Sequence, residues 1–142
     1  MTRFEALNIQ ELIHLPVTRV WDLLTDWAAA PKWMPGVDSM EAEQLTGFGA
    51  VLDYSSGAHE RQLVISSLDD GKSITLSAGS GDIGVLYGYE LSDEFGHTLV
   101  RLTVDVEAVA ELEDEVGELL AAIATSEAGT LKGLRAYAES AP

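Results

Sequence analysis

The sequence predicts an α+β fold in which the helices are kept apart from a run of antiparallel strands. Three observations predict this class. After residue 38, short runs of β-forming residues alternate with the turn sequences TGFG, SGA, DDGK and DEFGH. A short segment of helical periodicity precedes these runs, and a longer apolar stripe of helical spacing follows them. Because the turns leave no room for crossover helices, consecutive strands must be antiparallel.

The first elements are a strand and a broken helical segment. Residues 4–15 alternate between apolar and polar side chains, which predicts a strand, although Glu11 interrupts its apolar side. Helical spacing of apolar residues behind Pro16 predicts a helix over about residues 16–26. Pro31 and Pro35 prevent its continuation as one long helix. Six more strands are predicted near residues 38–45, 50–56, 59–68, 73–79, 83–92 and 97–107.

The C-terminal segment, within residues 108–140, is predicted to form one long amphipathic helix. Glu127 and Thr130 fall inside its apolar stripe, where a carboxylate needs a partner or a raised pKa. The stripe recurs at about 100° per residue and consists of Leu112, Val116, Leu119, Leu120, Ile123, Leu131 and Leu134.

Length and composition limit the classes of function. The 142 residues fit one domain, 1–142. The 24 acidic and 8 basic residues give a net charge of −16, which repels phosphate and excludes nucleic acid as an expected partner. The absence of cysteine excludes disulfides and thiolate metal sites. No apolar run approaches the roughly 18 residues of a membrane span, so no stable membrane insertion is expected and cytoplasmic residence follows by default.

Two motif-like features of the sequence bear on cofactor or metal binding. The segment GSGDIG, Gly79 to Gly84, matches the dinucleotide fingerprint, but a strand pattern follows it where the fingerprint requires a helix. We therefore interpret the glycines as a hairpin or bulge. His14, His59 and His97 are scattered without metal-ligand spacing. No cofactor and no metal site are predicted.

Four segments carry a resemblance to a known family: LPVTRVWDLLTDW (15–27), PKWMPGV (31–37), FGHTLVRLTVDV (95–106) and LKGLRAYAE (131–139). With the order of elements, they resemble the START-like, or SRPBCC, superfamily of polyketide cyclases, lipid-transfer proteins and pollen-allergen-like proteins. The resemblance implies a helix-grip fold, in which a curved seven-stranded antiparallel sheet wraps a long C-terminal helix and two short helices follow the first strand. It also implies an apolar cavity, near which Trp33 is either a core plug or part of the ligand wall.

Hairpin register gives a sharper prediction. A two-residue turn at Gly57-Ala58 sets Tyr54 opposite Arg61 and Ser56 opposite His59, on the inward face. A two-residue turn at Asp70-Gly71 sets Ile65 opposite Leu76 and Ser67 opposite Ile74. Pairing of Leu91 with Val100 turns Tyr87 and Tyr89 inward. A pairing of Arg61 with Glu127 across the cavity is an open alternative.

These positions form a candidate ligand-binding set, without an assigned catalytic residue: Trp33, Tyr54, His59, Arg61, Tyr87, Tyr89 and Glu127. The alternative is that the hairpin tip projects into water and its polar groups are only solvated.

Three candidate functions remain. The first is binding or transport of a small, largely apolar, neutral molecule such as a polyketide, isoprenoid or lipid. The second is a polyketide cyclase, aromatase or dehydratase. The third is an interaction protein of the chaperone-activator type, with a filled cavity that binds no ligand. The oligomeric state is not predicted.

Overall fold

The computed structural model describes residues 2–42, 47–79 and 81–140. Residues 43–45 of the predicted second strand and Ser80 of the GSGDIG segment lie outside these ranges. The order of elements agrees with the predicted α+β layout. The strands are β1 (Thr2–Ile13), β2 (Ser39–Ala42), β3 (Val51–Ser56), β4 (His59–Asp69), β5 (Ser73–Gly79), β6 (Ile83–Glu94) and β7 (His97–Ala108). The helices are α1 (Val17–Leu24), α2 (Val116–Glu127) and α3 (Thr130–Ser140), with 3-10 helices at Trp27–Lys32 and Ala110–Glu115.

The strands form one curved sheet in the order β1-β7-β6-β5-β4-β3-β2, with every neighbouring pair antiparallel. β1 is therefore an edge strand beside β7, although it is first in the chain. Both C-terminal helices contact β1, and α1 contacts β6 and β7. The predicted helix-grip fold is confirmed.

The core brings together the inward side chains of the strands and the apolar faces of the helices. Its members alternate along β7, where every second residue is fully buried, as period-2 strand geometry requires. The helices contribute mainly from α1 and α3. Fully buried members include Val20, Leu24, Trp27, Leu52, Ile65, Leu102, Val104 and Leu134.

The long C-terminal helix is interrupted once, at Ala128-Gly129. The glycine supplies the weak point, because glycine is about 1 kcal/mol less favourable than alanine inside a helix. The carbonyl of Gly129 accepts a hydrogen bond of 2.9 Å from the backbone N–H of Gly133, which begins the ladder of α3. The break leaves Glu127 at the end of α2 and Thr130 at the start of α3.

The predicted register is confirmed in two hairpins and needs a correction in a third. Tyr54 opposes Arg61, and Leu91 opposes Val100. Between β4 and β5, Ile65 opposes Leu76 as predicted, but the register shifts between Ile65 and Ser67. Leu68, and not Ser67, therefore opposes Ile74. The turn contains three residues, 70–72, and not two. The bulge at Ser66 compensates for the extra turn residue and returns the apolar Leu68 to the core side while Ser67 is exposed.

Glu11, which interrupts the apolar side of β1, has a partner on α3. Arg135 Nη1 donates a hydrogen bond of 2.9 Å to Glu11 Oε1, and Arg135 Nε donates one of 3.0 Å to Glu139 Oε2. The carboxylate therefore connects the edge strand to the last helix.

Candidate ligand-binding site

A cavity of about 320 Å³ lies between the inward face of the sheet and the end of α2. Strand alternation directs Tyr87 and Tyr89 of β6 towards it, because residues two apart share one face. The loop before β2 forms another side of the cavity. The apolar part of the lining consists of Met34, Pro35, Val37, Met40, Leu63 and Leu76. The polar part consists of Tyr54, Ser56, Arg61, Tyr87, Tyr89, Ser126 and Glu127.

The loop at residues 34–37 is held against the β3–β4 turn. Asp38 Oδ2 accepts a hydrogen bond of 2.7 Å from the N–H of Gly57, and the Asp38 N–H donates one of 2.8 Å to the carbonyl of Ser55. Gly57 has a φ of 61°, a conformation that glycine adopts without strain. These bonds fix the loop and the hairpin relative to each other on one side of the cavity.

Three phenols face the cavity in protonated form. Burial, with a smaller contribution from the nearby Glu127, raises the pKa of Tyr87 to about 12. Burial also raises the pKa of Tyr89, whose side chain is 3% exposed. Burial raises the pKa of Tyr54, an effect that Arg61 partly offsets. All three hydroxyls are therefore hydrogen-bond donors at neutral pH.

Glu127 is the half-buried carboxyl of the site. Burial raises its pKa, and a hydrogen bond of 2.7 Å from Thr130 Oγ1 to Glu127 Oε2 opposes part of that rise. Within residues 2–42, 47–79 and 81–140, neither Glu127 nor Arg61 takes part in an ion pair. The pairing of these two residues is therefore not formed in the structure.

Arg61 and His59 lie on the same strand with different relations to the cavity. Arg61 is exposed and lines it. His59 is exposed at the start of β4 and does not line it. The strand register of both residues is as predicted. The exposure of His59 agrees with the alternative in which the hairpin tip projects into water. Its role in ligand recognition stays a prediction.

Trp33 packs behind the cavity wall. Its side chain is 4% exposed, and its ring meets that of Tyr89 edge-on with centroids 6.2 Å apart. Trp33 is not among the residues that line the cavity. Its indole N–H is buried without a hydrogen-bond partner in the part of the chain that the structure describes. Of the two predicted roles, the geometry agrees with the core plug.

Several lining residues were not in the predicted set. Leu63 and Leu76 occupy inward register positions, so hairpin arithmetic could have included them. Met40 and Val37 carry no distinctive sequence pattern, and neither does Ser126. Val37 reaches the cavity because the loop before β2 folds over the inward face, and Met40 because it lies in β2 opposite Tyr54. Ser126 reaches it because the helix break ends α2 there.

A larger open depression of about 880 Å³ lies beside the cavity and shares Tyr54 and Arg61 with it. Its other walls carry the exposed carboxylates of Glu41, Asp53 and Glu60. Gln62 donates a hydrogen bond of 2.8 Å to Asp53 Oδ1, so two of the polar groups on this surface already bond to each other. Of these two depressions, the smaller cavity is the candidate site because it combines apolar walls with half-buried and buried polar groups.

Among the described residues, no cluster of three or more histidine, aspartate or glutamate side chains is arranged to bind a metal ion. None of the helices in the described ranges has the length and hydropathy required to cross a membrane.

Residues 7–139 match the model of a family described as polyketide cyclase / dehydrase and lipid transport. The chain belongs to this family. The START-like resemblance is thereby confirmed for this member of the polyketide cyclase / dehydrase and lipid transport family. A sequence search of curated proteins gave no match.

Solved structures share the fold at low sequence identity. The di-domain ARO/CYC StfQ from the steffimycin biosynthetic pathway is 14% identical with a TM-score of 0.71, over 96% of this chain and 51% of StfQ. The family member thus spans about half the length of StfQ. The Zhui aromatase/cyclase from Streptomyces sp. R1128 is 16% identical with a TM-score of 0.73, over 97% and 94% of the two chains. A START superfamily protein from Mycobacterium smegmatis is 13% identical with a TM-score of 0.70, over 94% and 96%.

Proposed function

We propose that the protein binds a small, neutral, largely apolar molecule in the cavity between the sheet and α2. The observation that carries the proposal is a cavity of about 320 Å³ with aliphatic walls and a few convergent polar groups. Ligand sites usually have this composition and volumes of roughly 300–1,000 Å³. The volume lies at the lower end of that range, which favours a compact ligand over an extended lipid chain.

Charge favours a neutral ligand. The net charge of −16 repels anions at long range. Inside the cavity, an anion would lie near Glu127 and among side chains whose burial penalises charge. Arg61 is the one cation among the lining residues described, and it is exposed to water. A single solvated guanidinium gives limited compensation for the desolvation of a carboxylate.

A thermal-shift comparison of methyl octanoate, octanol and octanoate tests this proposal. A ligand at a hundredfold excess over its Kd stabilises the folded protein by about 2.7 kcal/mol. We expect the ester and the alcohol to raise Tm more than the carboxylate at equal concentration. A consistent advantage of carboxylates would show that Arg61 overrides the overall charge and would contradict the proposal.

A pair of tryptophan variants locates the binding. Val37→Trp places a large side chain at a lining position in the loop before β2, whereas Val64→Trp places it on β4 at a position that is 37% exposed and does not line the cavity. We expect Val37→Trp to abolish the shift and Val64→Trp to retain it. Loss of the shift in both variants, or in neither, would place binding elsewhere.

Glu127 favours a second candidate function, that of a polyketide cyclase, aromatase or dehydratase. A carboxyl with a raised pKa beside protonated phenols is suited to proton transfer with a bound carbonyl compound. StfQ and Zhui are named as ARO/CYC and aromatase/cyclase proteins, which supports this class. Mass spectrometry of an incubated poly-β-ketone should show conversion by the wild type and none by Glu127→Gln. Equal conversion by both proteins would remove Glu127 from the chemistry.

The third function, an interaction protein with a filled interior, is less well supported. A core at normal packing density leaves no void of ligand size. The cavity of about 320 Å³ therefore favours the two ligand-dependent functions.

A further inference from the structure

The three tyrosine hydroxyls of the cavity have no hydrogen-bond acceptor within the described part of the protein. In the part of the chain covered by the structure, the hydroxyls of Tyr54, Tyr87 and Tyr89 form no hydrogen bond. Tyr89 is the most constrained of them, because its side chain is 97% buried and still lines the cavity. The Tyr89 hydroxyl is not among the fully enclosed polar atoms without a partner, so it opens onto the cavity that its side chain lines. The cavity contents therefore provide its acceptor, because a hydroxyl that loses water and gains no partner costs free energy.

The surrounding protein offers these hydroxyls few acceptors. Backbone carbonyls of β6 are used by the ladders with β5 and β7. Oε2 of Glu127 already accepts the hydrogen bond of Thr130. The aliphatic walls from Met34, Leu63 and Leu76 contribute none. Water in the empty cavity can fill this role, and a ligand that displaces it must replace the acceptors.

From this arrangement we propose that the cavity selects a neutral, compact molecule with two acceptor-only oxygens, such as carbonyls, that receive hydrogen bonds from Tyr87 and Tyr89. The inference rests on the proposed function and narrows its ligand class. Tyr87 and Tyr89 are two residues apart on one strand face, which separates their backbone positions by about 7 Å. The two oxygens therefore belong to two separate functional groups, as on opposite sides of a compact ring framework. Isoprenoid hydrocarbons and simple lipids lack this pattern.

A matched ligand series tests the acceptor requirement. Decalin, 1-decalone and decalin-1,5-dione share one carbon framework and carry none, one and two carbonyl oxygens. Their affinities for wild type, Tyr87→Phe and Tyr89→Phe are measured by NMR chemical-shift titration. The comparison between variants cancels the different hydrophobicity of the three ligands.

We expect each phenylalanine variant to bind the dione about three- to tenfold more weakly than wild type, the usual effect of one lost hydrogen bond. Decalin should bind all three proteins equally. Tyr137→Phe is the control, because Tyr137 is half-buried on α3 and does not line the cavity. Since the Tyr89 hydroxyl has no hydrogen-bond acceptor among the described residues, and phenylalanine keeps the ring contact with Trp33, Tyr89→Phe should also leave the stability of the unliganded protein unchanged.

The contrary outcomes separate the two proposals. If the dione binds and both phenylalanine variants keep its affinity within twofold, the donor assignment is wrong while ligand binding stands. If neither the decalin series nor the octanoate series binds the wild type, the proposed function and this inference are both wrong. A stability loss in Tyr89→Phe without ligand would reveal an internal acceptor and overturn the donor assignment for that residue.

Discussion

Thr130 donates a hydrogen bond of 2.7 Å to Glu127 Oε2 across the two-residue break between α2 and α3. Thr130 is 1% exposed, so this donor is held in place by the core. The bond lowers the pKa of Glu127, but burial raises it by a larger amount. The break thus places the Glu127 carboxyl at the cavity, where its pKa is higher than that of an exposed glutamate.

Glu127→Gln should alter the pH dependence of stability. Because the pKa of Glu127 is above its ordinary value of 4.5 in the folded protein, the folded state keeps a proton that the unfolded chain has lost. Ionisation of Glu127 therefore lowers the free energy of unfolding as the pH rises from about 4.5 through the folded-state pKa. The stability of Glu127→Gln relative to wild type should increase over this range.

Urea denaturation at successive pH values measures this effect. Glu118→Gln, which removes an exposed carboxylate from the same helix, is the control for the change in net charge. If the difference between Glu127→Gln and wild type does not change with pH, ionisation of Glu127 is not linked to folding.

Truncation of Ile65 should be costly, whereas truncation of Arg61 should not. Ile65 is fully buried in β4, and its replacement by alanine should lower the free energy of unfolding by about 2 to 5 kcal/mol. Arg61 is exposed on the same strand without an ion pair in the described ranges, so Arg61→Ala should stay within about 1 kcal/mol of wild type. Chemical denaturation compares the two variants, and severe destabilisation by Arg61→Ala would instead identify a structural partner.

Two helical glycines should respond oppositely to alanine. A Cβ on Gly133 would lie 2.8 Å from the carbonyl oxygen of Trp33, so Gly133→Ala must move α3 or the Trp33 backbone. We expect it to destabilise the protein by about 1 to 3 kcal/mol. A Cβ on Gly117 in α2 meets nothing within 4 Å, so Gly117→Ala should stabilise by roughly 0.4 to 1 kcal/mol. Thermal denaturation tests the pair, and equal shifts would show that α3 does not pack closely on Trp33.

Phe95→Asn should stabilise the β6–β7 hairpin. Phe95 and Gly96 form its two-residue turn with φ values of 55° and 86°. Phe95 is 99% exposed, so its ring adds little packing to offset a left-handed backbone. Asn-Gly is the preferred pair for a turn with two positive φ values.

We expect Phe95→Asn to raise the free energy of unfolding by about 0.5 to 1 kcal/mol, the usual effect of a turn substitution that fits the backbone. Urea denaturation measures this gain. Phe95→Val is the control and should lose stability. A loss in the asparagine variant would show that the Phe95 ring contributes contacts in the folded protein.

The predicted elements depend on local patterns, and most agree with the structure. Alternation along β7 and the two-residue turn at Gly57-Ala58 specify which face each side chain occupies, since both act over neighbouring residues. The β4–β5 hairpin shows the limit of this reasoning. Asp70-Gly71 marks the turn correctly, but the bulge at Ser66 depends on how Leu68 packs into the core, which no local pattern contains.

In the candidate site too, local patterns predict some features and not others. The sequence alone predicts that Tyr54, Tyr87 and Tyr89 point to the inward face, because strand pairing fixes side-chain direction in steps of two residues. Only the tertiary structure placed Trp33 behind the wall and His59 outside the cavity. It also decided that Glu127 meets Thr130 and not Arg61. The direction in which a strand side chain points is a local property. Burial and side-chain contacts depend on the curvature of the sheet and on how segments distant in sequence pack against it. The positions of Trp33 and His59 and the partner of Glu127 were therefore decided by tertiary packing.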